Sequence, residues 1–194
     1  MILFNKLLTH YFHTVAKEFR EHFMSETSQE ITKSDFSLTA KIFHWSFVIL
    51  FAYGISKQID NINQLEDLAV LKFEIAFAFL FILFLVVRFF YMTRTQKSSL
   101  PQNTPKIQKI AAKSVHYGMY TGMISIALSG LVIGFLYWLG LKSGIIIDII
   151  IGWHETSVLV VYWLIGIHLI GAIYHRLKDD GVWNSMVPIL KSNK

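Results

Sequence analysis

The sequence predicts an all-α integral membrane protein, a four-helix transmembrane bundle preceded by an N-terminal amphipathic helix. Three observations carry that prediction. Of the 194 residues, 54% are hydrophobic and only 16% charged, where a globular chain carries roughly 25% charged residues. The charges gather in short blocks that leave four long apolar stretches, each near or above the ~20 residues that cross a bilayer as helix. Basic residues are also shared unequally among the connections. Five Lys or Arg occur up to Lys41, six from Arg88 to Lys113 and four after Tyr174, against only Lys57, Lys72 and Lys142 on the opposite side.

The first 24 residues place Phe4, Leu7, Leu8, Tyr11, Phe12, Val15, Phe19 and Phe23 at helical spacing. Lys6, Lys17, Glu18, Arg20 and Glu21 interrupt any continuous apolar run, and no small-residue cleavage site follows. The pattern therefore speaks against a secretory signal. It reads either as an amphipathic helix lying on the inner membrane face or as a docking arm for a partner subunit. His10, His13 and His22 within it read as interfacial polar residues. Residues 1–35 form this arm, 36–188 the transmembrane domain and 189–194 a short tail.

The four spans are expected at about Leu38 to Ile55, Ala69 to Met92, Val115 to Leu139 and Trp153 to Tyr174. The positive-inside rule then puts both termini and the middle loop in the cytoplasm, in a bacterial inner membrane. The middle loop, Thr93 to Ser114, holds Pro101 and Pro105 and reads as a flexible linker. Ser143 to Gly152, with six isoleucines around Asp148, is too short to cross and reads as an interfacial piece on the outer side.

Composition excludes several chemistries. With no cysteine, the chain forms no disulfide, holds no iron–sulfur cluster through thiolates and attaches no haem covalently. The net charge of +5 lies beside apolar spans, where it sets orientation rather than nucleic-acid binding.

The chemistry sits in histidines. His154, His168 and His175 follow one another at intervals of 14 and 7 residues along the fourth span, so their rings point within a few tens of degrees of one another. His154 and His168 are about 21 Å apart along the helix axis. Ionisable groups at such depth mark a site facing the bundle interior, and a neutral imidazole at each level is what an axially ligated haem requires. His44, early in the first span, shares the cytoplasmic half with His168. Two imidazoles on different helices can clamp a haem iron from both faces, which suits electron transfer rather than oxygen activation. His175 can take the place of His168 as partner of His44. His154 is placed for a second haem in the outer half. His116 and His175 read as contacts for propionate, proton uptake or quinone. Arg88 either pairs with haem propionates or snorkels to headgroups. Trp45, Trp138, Trp153 and Trp163 fit aromatic belts.

These residues together resemble the prokaryotic cytochrome b561 family over about Phe36 to Pro188. The stretch that carries the resemblance is Trp153-His154-Glu155-Thr156, Gly166-Ile167-His168, His175, Lys178-Asp179-Asp180 and Met186-Val187-Pro188. His44-Trp45, Val87-Arg88, His116 and Leu128-Ser129-Gly130 support it. The resemblance implies two haems b in a helical bundle exchanging electrons between ubiquinone or menaquinone and a redox partner or superoxide. It implies His44 and His168 as ligands of the inner haem iron. The outer iron would fall to His154 and a histidine on the second helix, fourteen residues before Arg88. That position holds Glu74, a departure that is compatible with one haem or two. Related four-helix cytochromes anchor hydrogenases and formate dehydrogenases, and a haem-bearing anchor subunit without catalysis of its own is the alternative function. A histidine-lined proton channel without haem is a third reading.

Overall fold

The structure is a computed structural model that describes residues 17–18 and 36–187. The chain divides into two units, Met1–Ser34 and Asp35–Lys194. In the first only Lys17 and Glu18 are described, and both are helical. The expected amphipathic arm with His10, His13 and His22 thus lies outside the described residues, as does the tail beyond Val187.

The second unit is built from four long helices: α1 (Leu38–Ser56), α2 (Leu68–Thr95), α3 (Lys106–Trp138) and α4 (Ile145–Lys178), closed by a short α5 (Val182–Met186). All four long helices have the length and hydropathy to cross a membrane. Ser37 caps α1 by accepting from the Ala40 amide at 3.2 Å. Asp67 does the same for α2, accepting from Ala69 at 2.8 Å. Each satisfies one of the amides a helix start leaves open.

Two expectations are corrected here. The third helix begins at Lys106 rather than near Val115, so the linker shrinks to residues 96–105. Pro105 precedes that helix with φ −53°, a value already suited to helix entry, and its missing N–H costs nothing there. The isoleucine-rich stretch is no separate piece either, because α4 starts at Ile145 and runs unbroken through it. Gly144, at φ 116°, supplies the turn that an L-residue resists. Asp148 in the first turn complements the helix dipole.

The helices pack in chain order, α1 on α2, α2 on α3 and α3 on α4, with α5 folded onto α4. Among the described residues no packing of similar extent joins α1 to α4, which leaves a seam between the first and last helices. The central core takes Phe47 from α1, Phe81 and Leu85 from α2, Met123 and Ala127 from α3, and Val161 from α4. A second cluster, Leu65, Leu71, Ile133, Tyr137 and Ile147, closes one end. That end is termed the far end; the near end is where α1 begins and α4 stops. Large apolar side chains cover the outside, with Phe79 at 62%, Trp163 at 69% and Ile170 at 70% exposed, as a lipid-facing surface requires.

The inward line of α4 is Ile147, His154, Val161, His168 and His175, one residue every seven. Ile147, Val161 and His175 are buried and the other two half-buried. A seven-residue step drifts only ~20° around an α-helix, so the histidine stripe is continuous with the packing seam. Close approach of α3 to α4 depends on Gly118 and Gly122, since a Cβ on Gly122 would overlap Val161 Cγ2. Small residues serve this purpose in membrane helix pairs. Gly122→Ala should therefore destabilise the bundle by about 1–3 kcal/mol through overpacking. Gly166→Ala, which meets nothing, should unfold at nearly the wild-type temperature in detergent.

Candidate functional site

At the near end four helices bring a polar group into the interior. Arg88 of α2 points inward, its guanidinium carbon 5.4 Å from the centre of the Phe47 ring and 5.3 Å from that of Tyr120. Nη1 donates to the Tyr120 hydroxyl, and Nη2 lies 2.9 Å from His44 Nδ1. Arginine nitrogens only donate, so His44 Nδ1 is the acceptor and its ring proton sits on Nε2. The buried Nε of Arg88 has no hydrogen-bond partner among the described residues. The headgroup-snorkelling geometry is thus not the one adopted.

His44 lies within electrostatic reach of Arg88, His168 and His116, so the imidazoles of α1, α3 and α4 converge. His116 and His168 meet edge to face, ring centres 5.0 Å apart at 83°. His116 Nδ1 sits 2.7 Å from the Ala112 carbonyl. A carbonyl can only accept, so Nδ1 carries the proton and Nε2 keeps its lone pair. His168 has no hydrogen bond among the described residues, an expensive state for an imidazole inside an apolar helix.

His175 lies one heptad further on, buried, with Nδ1 2.6 Å from Asp180 Oδ2. Lys178 Nζ is 3.8 Å from that same oxygen, and Asp180 Oδ1 accepts from the Val182 amide at 3.3 Å. The carboxylate therefore orients the imidazole and starts α5 together. α5 is held over the near end by the Trp45 indole, which donates to the Met186 carbonyl at 3.2 Å, and by Arg176 stacked 5.0 Å over the Trp183 ring.

At the far end the polar groups form a chain between α3 and α4. The Ser129 hydroxyl donates to the Ser125 carbonyl at 2.7 Å and sits 2.9 Å from His154 Nδ1. Ser129 Oγ and His154 Nδ1 thus share a hydrogen bond that ties the imidazole of α4 to α3. The Trp153 indole donates to Ser125 Oγ at 2.8 Å. Ser125 in turn contacts Ser157 Oγ at 2.9 Å, and Ser157 donates to the Trp153 carbonyl at 2.8 Å. Glu74 of α2 is half-buried and has neither hydrogen bond nor ion pair among the described residues.

Among the described residues no group of three or more His, Cys, Asp or Glu is arranged to hold a bare metal ion. The donors come as single imidazoles on separate helices, which suits a metal that brings an equatorial ligand field of its own. Sequence reasoning named Asp180 and Ser129 only within the stretches behind the family resemblance, without a role for either, and did not single out Tyr120, Ser125 or Ser157. Tyr120 was legible in principle, lying four residues after His116 on the same helical face. Asp180 carried no periodic signal.

The sequence model of the family described as prokaryotic cytochrome b561 matches residues 35–188 of the chain. Neither the curated proteins nor the solved structures return a match.

Removing the hydroxyl under His154 leaves Nδ1 of that half-buried ring without its serine partner, so Ser129→Ala should cost about 1–3 kcal/mol in unfolding free energy. Thr156→Ala removes a hydroxyl that bonds only its own helix, to the Gly152 carbonyl at 2.7 Å, and should leave thermal unfolding in detergent nearly unchanged.

Proposed function

The chain belongs to the prokaryotic cytochrome b561 family, and from that premise we propose that it passes single electrons between a quinone pool and a second redox partner through a haem b clamped by His44 and His168. Membership makes it a membrane b-type cytochrome that works in electron transfer. The ligand pair, the quinone and the partner are our own reading. The observation that carries it is the convergence of half-buried imidazoles from α1 and α4 across the unpacked seam between those helices.

The near-end residues fit a haem on three counts. His168 is an imidazole without a hydrogen bond and Arg88 Nε a buried donor without one among the described residues, and the seam separates helices that would otherwise pack 8–10 Å apart. Held there by His44 and His168, a haem would supply a one-electron iron couple. Ligation through His44 Nε2 would need the proton on Nδ1, so Arg88 would have to release His44. Its Nη2 and Nε donors would then be free to serve a propionate carboxylate together, as a guanidinium fork does, with Nη1 still on Tyr120.

Reduction of a quinone also needs protons. His175, with Asp180 behind Nδ1, presents a lone pair on Nε2 at the near end, and His116 presents another. Both are suited to accept protons from the aqueous side and to contact a quinone carbonyl. Where superoxide is the donor, two superoxide ions each give one electron, and the quinone takes those electrons with two protons to become quinol and release two dioxygen molecules. The basic connections argue that the near end faces the cytoplasm of a bacterial inner membrane. The quinone is ubiquinone or menaquinone.

A second reading rests on the 34 residues that precede the matched region. They would serve as a docking arm, making the chain the haem-bearing anchor of a larger oxidoreductase.

Quinone coupling is tested directly by reducing the purified holoprotein and adding short-chain ubiquinone or menaquinone analogues anaerobically. The account expects reoxidation by at least one of them, slowed roughly tenfold or more in His175→Ala by loss of the proton acceptor. A haem that stays reduced with both quinones contradicts it.

A further inference from the structure

We propose that the far end of the bundle carries a binding site for one anionic phospholipid, its acyl chain in a groove between α2 and α3 and its phosphate on Lys72. Neither the near-end haem site nor the quinone contacts use this face.

The groove is lined by residues between 68 and 79 of α2 and between 128 and 138 of α3, and its volume is about 720 Å³. On each helix they recur at the three- and four-residue spacing that keeps side chains on one side. Buried Leu71 and half-buried Ile75 make the floor. Gly134 of α3 lets them approach, since a Cβ there would sit 2.9 Å from Ile75 Cγ1 and 3.7 Å from Leu71 Cδ1. Phe79 and Phe135 also line the groove and remain 62% and 54% exposed, so its apolar surface stays open toward lipid. The lining stretches rise about 15–16 Å along their helices, half of a ~30 Å hydrocarbon core. That is the depth of one leaflet, and so of one acyl chain.

Lys72 is the one charged residue in the lining. α2 begins at Leu68 and α3 ends at Trp138, so Lys72 and Trp138 lie at the membrane boundary, where an ammonium and an indole reach the headgroups. Neither the Lys72 ammonium nor the Trp138 indole N–H has a hydrogen bond or ion pair among the described residues. The neighbouring charges are engaged or turned away. Lys142 pairs with Glu66 at 3.3 Å, Asp67 accepts from the Ala69 amide at 2.8 Å, and Glu74 falls on the opposite side of α2 from Lys72. A cation and a donor without partners, set above an apolar groove, match a phosphodiester with an acyl chain beneath it. A zwitterionic lipid brings a cation of its own beside Lys72 and an anionic one does not, so the charge favours phosphatidylglycerol over phosphatidylcholine.

Native mass spectrometry of the full-length holoprotein released from detergent tests this, with phosphatidylglycerol and phosphatidylcholine of identical acyl chains as probes. Wild type should hold one phosphatidylglycerol about fivefold more tightly than phosphatidylcholine, the advantage one lysine gives at a membrane surface. Basic connections at the near end attract anionic lipid too, so the site is read from the variants. Lys72→Gln should lose the preference, whereas Lys142→Gln, whose ammonium is already paired, should keep it. Leu128→Trp, at a half-exposed lining position, should fill the groove and lower retention of phosphatidylglycerol as Lys72→Gln does. Equal retention of the two lipids by wild type overturns the proposal, as does a preference that survives Lys72→Gln or is lost equally in Lys142→Gln. A quinone, rather than a phospholipid, released by Leu128→Trp overturns it as well. The haem α-band should be alike in wild type and all three variants, so none of these outcomes touches the near-end reading.

Discussion

Everything in this molecule depends on the cost of placing imidazole and guanidinium groups inside apolar helices. Hydrocarbon offers such groups neither hydrogen bonds nor counter-charge, so each must find a partner within the bundle or be neutralised by one. α4 carries His154, His168 and His175 on the line that also holds Ile147 and Val161. The packing seam and the chemical stripe are the same surface. Glycines on α3 allow that surface to be approached closely, and the central core fixes the depth at which each ring sits.

The partners that satisfy these rings also set their chemistry. His116 donates from Nδ1 to a carbonyl and His175 to a carboxylate, while His154 Nδ1 shares a hydrogen bond with a serine hydroxyl. His44 instead accepts, since Arg88 donates to its Nδ1. That contact and an iron bond at His44 Nε2 exclude each other. Arg88 is accordingly more than a counter-ion: it holds His44, and its buried Nε, without a partner among the described residues, is a donor suited to a carboxylate. The near end therefore combines an imidazole pair, a cation ready for an acid and a His–Asp pair under α5, a set matched to electron and proton transfer together.

Much of this was legible in the sequence, for identifiable reasons. The histidine stripe could be read because a seven-residue repeat projects onto one helical face whatever the neighbours are. The four spans could be read because hydropathy integrates over many residues. The start of α3 at Lys106 was not legible, because Lys106, Lys109 and Lys113 look like loop composition although a helix carries them comfortably at headgroup depth. Nor was the opening of α4, where an isoleucine run can belong to a helix or to an interfacial segment and only Gly144 marks the boundary. The tautomers were out of reach altogether. They depend on Ser129, which sits on another helix than its histidine, on Asp180 beyond the end of α4, and on the backbone carbonyl of Ala112, which lies one turn before His116 but which no residue type marks.

The central claim is that α1 and α4 each give one imidazole to the same iron, and low-temperature electron paramagnetic resonance of the oxidised holoprotein tests it most directly. Single His44→Ala and His168→Ala variants should each lose the bis-imidazole low-spin signal of the near-end haem, while His116→Ala and His175→Ala retain it. Persistence of that signal in both of the first two variants would contradict the account.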